Sequence, residues 1–282
     1  MKGIGNKYIS LTGEEEDKRL ELQNRCLYCF DHEIYEKTFG QYTDPVILDI
    51  GCGTGNMIHG MLKGISPFRL FGVDEVERQI SIAGKNYPSD HFYSLDVESA
   101  SFFREMRKIM DDNDISGYDV INCSMVILHL KDPIGILSGL RTLLSDDGTI
   151  IIRDIDDGLH FVWPDEDLFQ KYYDVCARDT RLGDRHCGRK LFHYLKKAGF
   201  SKICLEKEGL STSELEDKMI LYDIFIPSTF HYMEQRYNES PENEQWKEDY
   251  YWFRDNIDKM KQSFSKDDFI SSAGFMSFTA KK

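Results

Sequence analysis

Along this chain, short apolar runs alternate with stretches in which apolar residues recur at spacings of three and four. Val46-Ile-Leu-Asp-Ile50 ends in Gly51-Cys52-Gly53-Thr54-Gly55 and passes into Met57, Ile58, Met61, Leu62 and Ile65 at helical spacing. That pattern predicts a buried strand, a glycine turn and a helix. The same cadence predicts strands over 70–73, 92–95, 118–123 and 149–152 and helices over about 76–86, 102–110 and 134–144. Strand and helix repeated in this way specify a parallel sheet covered on both faces. Upstream, Gly13-Glu14-Glu15-Glu16-Asp17 leads into Leu20, Leu27, Phe30 and Ile34. Residues 14–40 are therefore read as one or two amphipathic helices with acids at the positive amino end.

The rhythm breaks after residue 155. Residues 156–185 hold acids, aromatics and arginines without a clean period and are read as an insertion over the sheet's carboxyl edge. It resumes with a helix over 189–198, closed by Gly199, and a strand over 202–206. Residues 219–272 are rich in aromatics around a polar stretch, 238–245, and predict a mostly helical lobe with one loose loop. The alternating tail 274–279 predicts a final strand. The expected organisation is a helical cap over 1–43, an α/β core over 44–218 with its insertion at 156–185, a helical lobe or substrate roof over 219–272, and the core's last strand in 273–282.

Composition narrows the class. With 282 residues, 41% of them hydrophobic, the chain has ample material for a core, and disorder, collagen-like repeats and membrane spans are excluded. The amino terminus lacks the apolar stretch of a signal peptide and no run is long enough for a bilayer, so a cytoplasmic location without a membrane partner is expected. Seven scattered cysteines do not form a secreted disulfide framework and read as thiols. The formal net charge of -14 opposes broad nucleic-acid binding, which draws its affinity from neutralising phosphates.

The glycine turn is the candidate chemistry, because a turn without side chains lets the backbone approach a ligand at the sheet's carboxyl edge. The dinucleotide fingerprint G-x-G-x-x-G is not met: the glycines are 51, 53 and 55, and position 56 is Asn. Asp49, just before the first glycine, would also repel a pyrophosphate.

The run Val46 to Asn56 closely resembles the first motif of class I S-adenosylmethionine-dependent methyltransferases, in their small-molecule branch. The resemblance covers residues 44–155 and, more loosely, 186–206. It implies a Rossmann-like, doubly wound, mostly parallel seven-stranded sheet with its last strand antiparallel, here with an N-terminal helical cap and a C-terminal helical insertion. It implies S-adenosylmethionine as cofactor, S-adenosylhomocysteine as product, and a cofactor site made of Asp49, Gly51, Cys52, Gly53, Thr54, Gly55 and Asn56. Asp74, with Glu75 beside it, matches the acid that accepts the ribose hydroxyls; by itself it could equally cap the next helix. Asp96 and Val97 match the adenine-binding pair, though Asp96 could merely start a turn. Ser124 and Met125, ending the run Asp119 to Ser124, match the fourth motif beside the methionine part of the cofactor.

The resemblance implies an enzyme that transfers a methyl group to an oxygen or nitrogen of a small molecule. A protein or peptide acceptor, or a non-catalytic cofactor- or partner-binding module, stands as the alternative. The sulfonium is already an activated donor, so the protein must mainly align the acceptor and exclude water. His129 and Asp154, each just after a strand, are the candidate catalytic residues, with His129 the better base by its ordinary pKa; Leu128-His-Leu130 also reads as packing. Arg178, Arg181, Arg185 and Arg189 gather in an otherwise acidic chain. Arg185 and His186 are the candidate substrate contacts, by bidentate recognition of a carboxylate or phosphate; the same arginines could brace loops. Neither the Pro-Pro-aromatic run of base-amine methyltransferases nor a Pro-Cys nucleophile is present, which agrees with the charge. Cys26-Leu-Tyr-Cys29 and His32 have metal-like spacing but no second pair, and on a helix residues three apart share a face, so no metal is expected. The acceptor's identity and the oligomeric state are not legible.

Overall fold

In the computed structural model, which describes residues 14–178 and 183–282, the chain divides into two compact units. One consists of Tyr28–Asp156, His186–Glu208 and Phe275–Lys282. The other consists of the described residues up to Leu27 together with Asp157–Arg185 and Gly209–Gly274.

The first of these is the α/β core. Strands β1 (Val46–Ile50), β2 (Arg69–Asp74), β3 (His91–Ser94), β4 (Tyr118–Ser124) and β5 (Leu144–Ile155) alternate with helices α2 (Asn56–Met61), α3 (Glu77–Asn86), α4 (Phe102–Asp112) and α5 (Pro133–Leu143). The strands lie in the order β3-β2-β1-β4-β5, all parallel. Strand β8 (Ile270–Lys281) then runs antiparallel to β5, pairing Thr149 with Lys281 and Ile155 with Phe275, and β7 (Ser201–Thr212) pairs with β8. The strand order reverses between β1 and β4, the crevice where open α/β sheets bind their ligands. Helix α7 (Leu191–Lys197) precedes β7.

Near-continuous apolar runs form β1 and β4 because a parallel sheet is covered on both faces. On one face Ile34, Tyr35 and Phe39 of α1 (Glu14–Phe39) pack with Ile47, Ile58, Met61, Leu70, Val120 and Ile151. Helix α5 starts where the pattern requires: Asp132 caps Gly135 N–H at 2.9 Å and Pro133 occupies the first turn. Strand β5 is longer than its apolar run of 149–152 predicts, continuing through Arg153 and Asp154, both wholly buried. The strand tolerates them because each polar group finds a buried partner.

The second unit is mostly helical: α6 (Leu168–Arg178), α8 (Leu215–Glu239) and α9 (Glu244–Phe264), with the short strand β6 (Phe161–Trp163) paired to Ile270–Ser272 of β8. Helices α8 and α9 flank the polar stretch expected to be a loop. The segment 156–185 is less irregular than expected. Phe169, Tyr172, Val175 and Cys176 form a buried stripe on α6, and Asp165 accepts the N–H groups of Leu168 and Phe169 at its start. β6 is the strand beyond the seven expected, giving eight among the described residues. Arg181 lies outside them. No described helix is long and apolar enough to cross a membrane.

Candidate functional site

The glycine turn joins β1 to α2 at the carboxyl edge of the sheet. Gly51, Gly53 and Gly55 have φ of 68°, 53° and 77°, a left-handed conformation that side chains disfavour. Gly51 and Cys52 donate their N–H groups to Val73 O at 2.8 and 3.0 Å, which ties the turn to the end of β2. A Cβ on Gly51 would meet Val126 Cγ2 at 2.4 Å, so Val126, just past β4, packs directly over the turn. A Cβ on Gly53 would meet nothing within 4 Å, so the turn is open there.

Asp74 holds this turn from the end of β2. Its Oδ2 accepts Gly53 N–H and its Oδ1 accepts Val76 N–H, each at 2.9 Å. Burial pushes its carboxyl up, and the two N–H bonds oppose that. Each carboxylate oxygen has a second lone pair, so both can still accept from a ligand hydroxyl. The cap role of Asp74 and its ligand role are therefore compatible.

Asp49 is 1% exposed. Its Oδ1 accepts from Asn122 Nδ2 at 2.6 Å, whereas its Oδ2 is buried without a hydrogen-bond partner. Burial pushes its pKa to about 7, helped by the nearby Asp74 and opposed by Asn122 and Arg153. At the end of β4, Ser124 Oγ accepts from Arg153 Nε and Nη2 at 3.1 and 2.8 Å, and Met125 takes a positive φ of 58° while donating to Arg153 O. Arg153 also binds Asp31 of α1, at the point where that helix departs from helical geometry.

The structure thus gathers Asp49, residues 51–55, Asp74 and Ser124 at one sheet edge. Other expected residues stand differently. Asn56 Oδ1 is taken by Tyr87 Oη at 2.9 Å, Glu75 is exposed, and Asp96, also exposed, accepts Glu98 N–H at 2.8 Å while Val97 is half-buried. His129 is exposed, on the short turn after β4. Asp154 is wholly buried, with Oδ2 accepting Leu128 N–H at 3.0 Å and Oδ1 accepting Ile155 N–H at 2.9 Å, and burial lifts its pKa to about 7. This geometry makes it a strut beneath the turn that carries His129, out of reach of a dissolved acceptor.

The arginines are engaged as braces. In the core, Arg189 clasps Asp156 through Nε and Nη2; in the helical unit, Arg185 clasps Asp157 through Nε at 2.9 Å and Nη2 at 2.8 Å, and Arg178 reaches Asp249 at 2.6 Å. Burial works against the Arg185 charge, but Asp157, Cys176 and Tyr172 together outweigh it and hold the pKa above its ordinary value. His186 is half-buried. Among the described residues, no group of three or more His, Cys, Asp or Glu is placed to hold a metal ion.

Four buried polar residues escaped sequence reading: Asp31, Tyr35, Asn122 and Arg153. The one local signal was a charge inside the apolar run Ile150-Ile-Ile-Arg-Asp-Ile155, which demands a buried partner without saying which.

The doubly wound sheet, its antiparallel final strand and the glycine turn at the switch point define a Rossmann-like cofactor-binding domain. The chain belongs to the methyltransferase domain family, whose model matches residues 23–205. S-adenosylmethionine is the cofactor of that family. Among curated relatives it is 28% identical over 127 residues to a ubiquinone biosynthesis O-methyltransferase of Glaesserella parasuis, spanning 44% of this chain and 50% of that protein. It is 29% identical over 108 residues to a malonyl-[acyl-carrier protein] O-methyltransferase of Halalkalibacterium halodurans, spanning 37% of each. The matched region is thus half or less of those relatives. A solved structure of a candidate methyltransferase from Bacillus halodurans shares the fold, with a TM-score of 0.51 and 13% identity over 89% of this chain and 98% of that one.

The residues present fit the cofactor. Gly53 leaves the turn open, Asp74 retains acceptor capacity, and the orphaned Asp49 Oδ2 is a buried oxygen that a cationic group would satisfy.

Proposed function

We propose that this chain transfers a methyl group from S-adenosylmethionine to an oxygen or nitrogen of a small-molecule acceptor. The observation that carries the reading is the pairing of an open glycine turn with two acids, Asp49 and Asp74, fixed on either side of it. In this reading Asp74 receives the ribose hydroxyls, Asp49 the amino group, and Asp96 with Val97 the adenine; Ser124 and Met125 border the methionine part. When bound, the cofactor supplies a methyl group on a positively charged sulfur. What remains for the protein is to align an acceptor and keep water out. His129 takes up an acceptor proton where one must leave, and Asp154 fixes the turn on which His129 stands. Arg185 and Arg189 act as braces in this reading, so recognition of an acceptor's charge falls to His186 or to groups outside the arginine cluster.

The matched relatives are named as O-methyltransferases of a quinone pathway and of a malonyl thioester carrier, which favours oxygen as the acceptor atom. The acidic net charge supports a small acceptor over nucleic acid.

The test is release of S-adenosylhomocysteine from S-adenosylmethionine by the purified protein, screened over phenols, carboxylates, small amines and, separately, short peptides. Turnover with a small acceptor, lost in Asp74→Ala, supports the proposal. Turnover with peptides alone would replace the acceptor class, and tight cofactor binding without turnover on any acceptor would favour a binding module.

A further inference from the structure

Two polar rows cross the sheet of the core on the side that α1 covers. Asp49 on β1 is the register partner of Asn122 on β4, and Ser124 on β4, Arg153 on β5 and Ser277 on β8 are register partners in the next row. Helix α1 adds Asp31 and Tyr35, four residues apart. Arg153 donates to Asp31 and to Ser124, and Ser277 donates to Asp31. Tyr35 Oη donates to Asn122 Oδ1 at 2.8 Å, and Asn122 Nδ2 donates to Asp49 Oδ1 at 2.6 Å. Tyr35 and Asn122 are both 0% exposed, so no water competes for these bonds.

An asparagine amide has a donating and an accepting end. With Nδ2 toward Asp49 it stabilises the ionised carboxylate; with Oδ1 toward Asp49 it would require a proton on that acid. Tyr35, by donating to Oδ1, selects the first arrangement. The carboxylate oxygen left over, Asp49 Oδ2, is buried without a partner in the protein.

We infer that Tyr35 is a positioning residue for the cofactor site: its hydroxyl orients the Asn122 amide, Asn122 holds Asp49 as a carboxylate, and Asp49 Oδ2 receives the cationic amino group of the methionyl cofactor. This rests on the cofactor site proposed above. The other groups that act on Asp49 come from every neighbouring element. Asp74 on β2 opposes its ionisation and Arg153 on β5 favours it. Tyr35 on α1, Cys52 after β1 and Cys123 on β4 are raised by burial and stay neutral near pH 7.

The experiment is calorimetric titration of the full chain with S-adenosylhomocysteine from about pH 5.5 to about pH 9, for the wild type, Tyr35→Phe and Asp49→Asn, with folding of each checked by circular dichroism. Wild-type affinity falls as the pH drops through about 7 and Asp49 takes up a proton. Tyr35→Phe keeps the ring and loses the donor, so its acid limb moves to higher pH: for a shift of about one pKa unit, affinity is about tenfold weaker toward about pH 5.5, about fivefold weaker at about pH 7 and nearly unchanged at the alkaline end. Asp49→Asn binds weakly and has no such limb. A Tyr35→Phe curve that superimposes on the wild type, or lies below it by one factor at every pH, overturns the positioning role, as does a wild-type limb in Asp49→Asn. Failure of the wild type to bind would remove the cofactor site itself and this inference with it; binding with an unshifted Tyr35→Phe curve removes this inference alone.

Discussion

Arg153 and Asp31 form an ion pair in which both side chains are 0% exposed, joining β5 to the broken turn of α1 across 122 residues of sequence. The pair is tolerable because every part of it is engaged: Ser124 takes the rest of the guanidinium, Ser277 the second carboxylate oxygen, and the Tyr35 ring lies 5.7 Å from the guanidinium carbon.

Removing one partner strands the other's charge in the core. Arg153→Met and Asp31→Ala should each lower stability by about 3–5 kcal/mol, whereas the double variant Asp31→Leu/Arg153→Met should recover much of that loss. Urea denaturation checks this, and equal, additive losses would refute the buried pair.

The glycine turn separates packing from ligand approach. Gly51→Ala places a methyl group into Val126 and should both destabilise the fold and weaken S-adenosylhomocysteine binding. Gly53→Ala meets no atom and should cost about 1–2 kcal/mol of backbone strain, yet still weaken cofactor binding if, as proposed, the ligand approaches its open side. Thermal unfolding with and without S-adenosylhomocysteine distinguishes the two; full ligand stabilisation in Gly53→Ala would argue that the turn is not the site.

Asp49 and Asp154 both sit near pKa 7 because burial disfavours their charge. The folded chain therefore keeps protons that the unfolded chain, with carboxyls near 3.8, releases. Their contribution to stability is complete below the unfolded value and is lost as the pH rises through about 7. Stability of the ligand-free protein should decline from about pH 5 to about pH 7.5, and Asp49→Asn should reduce that slope. Chemical denaturation across this range checks it. Ligand affinity is expected to move the opposite way.

Asp154 accepts two backbone N–H groups in the core, so Asp154→Ala should leave both unsatisfied and cost about 2–4 kcal/mol. A catalytic base would behave otherwise, losing turnover while melting normally. His129→Ala, exposed, should leave stability within about 0.5 kcal/mol and act on turnover alone.

In the helical unit, Arg185→Lys should destabilise by about 2 kcal/mol, because a lysine cannot reproduce the two parallel bonds to Asp157. Unchanged stability with altered acceptor affinity would return Arg185 to a recognition role.

The order of elements from β1 to α5, the glycine turn at β1 and the acid at the end of β2 were legible because each is written locally: an apolar run, a spacing of three and four, or a glycine where φ must be positive. Helix α6 was legible in principle, its stripe Phe169, Tyr172, Val175 and Cys176 being masked by the charges around it. The engagement of the arginines was not, since Arg185 and Arg189 in an otherwise acidic chain read equally as ligands or braces. Sequence by itself thus determined the class of fold and where its glycine turn lies. Tertiary structure alone decided which polar groups become buried together, so that Tyr35 meets Asn122, Asn122 meets Asp49, and Arg153 meets Asp31. The reason is physical: a periodic pattern records which face of each element is apolar, whereas a buried charge is satisfied by whatever the fold brings to it from anywhere along the chain.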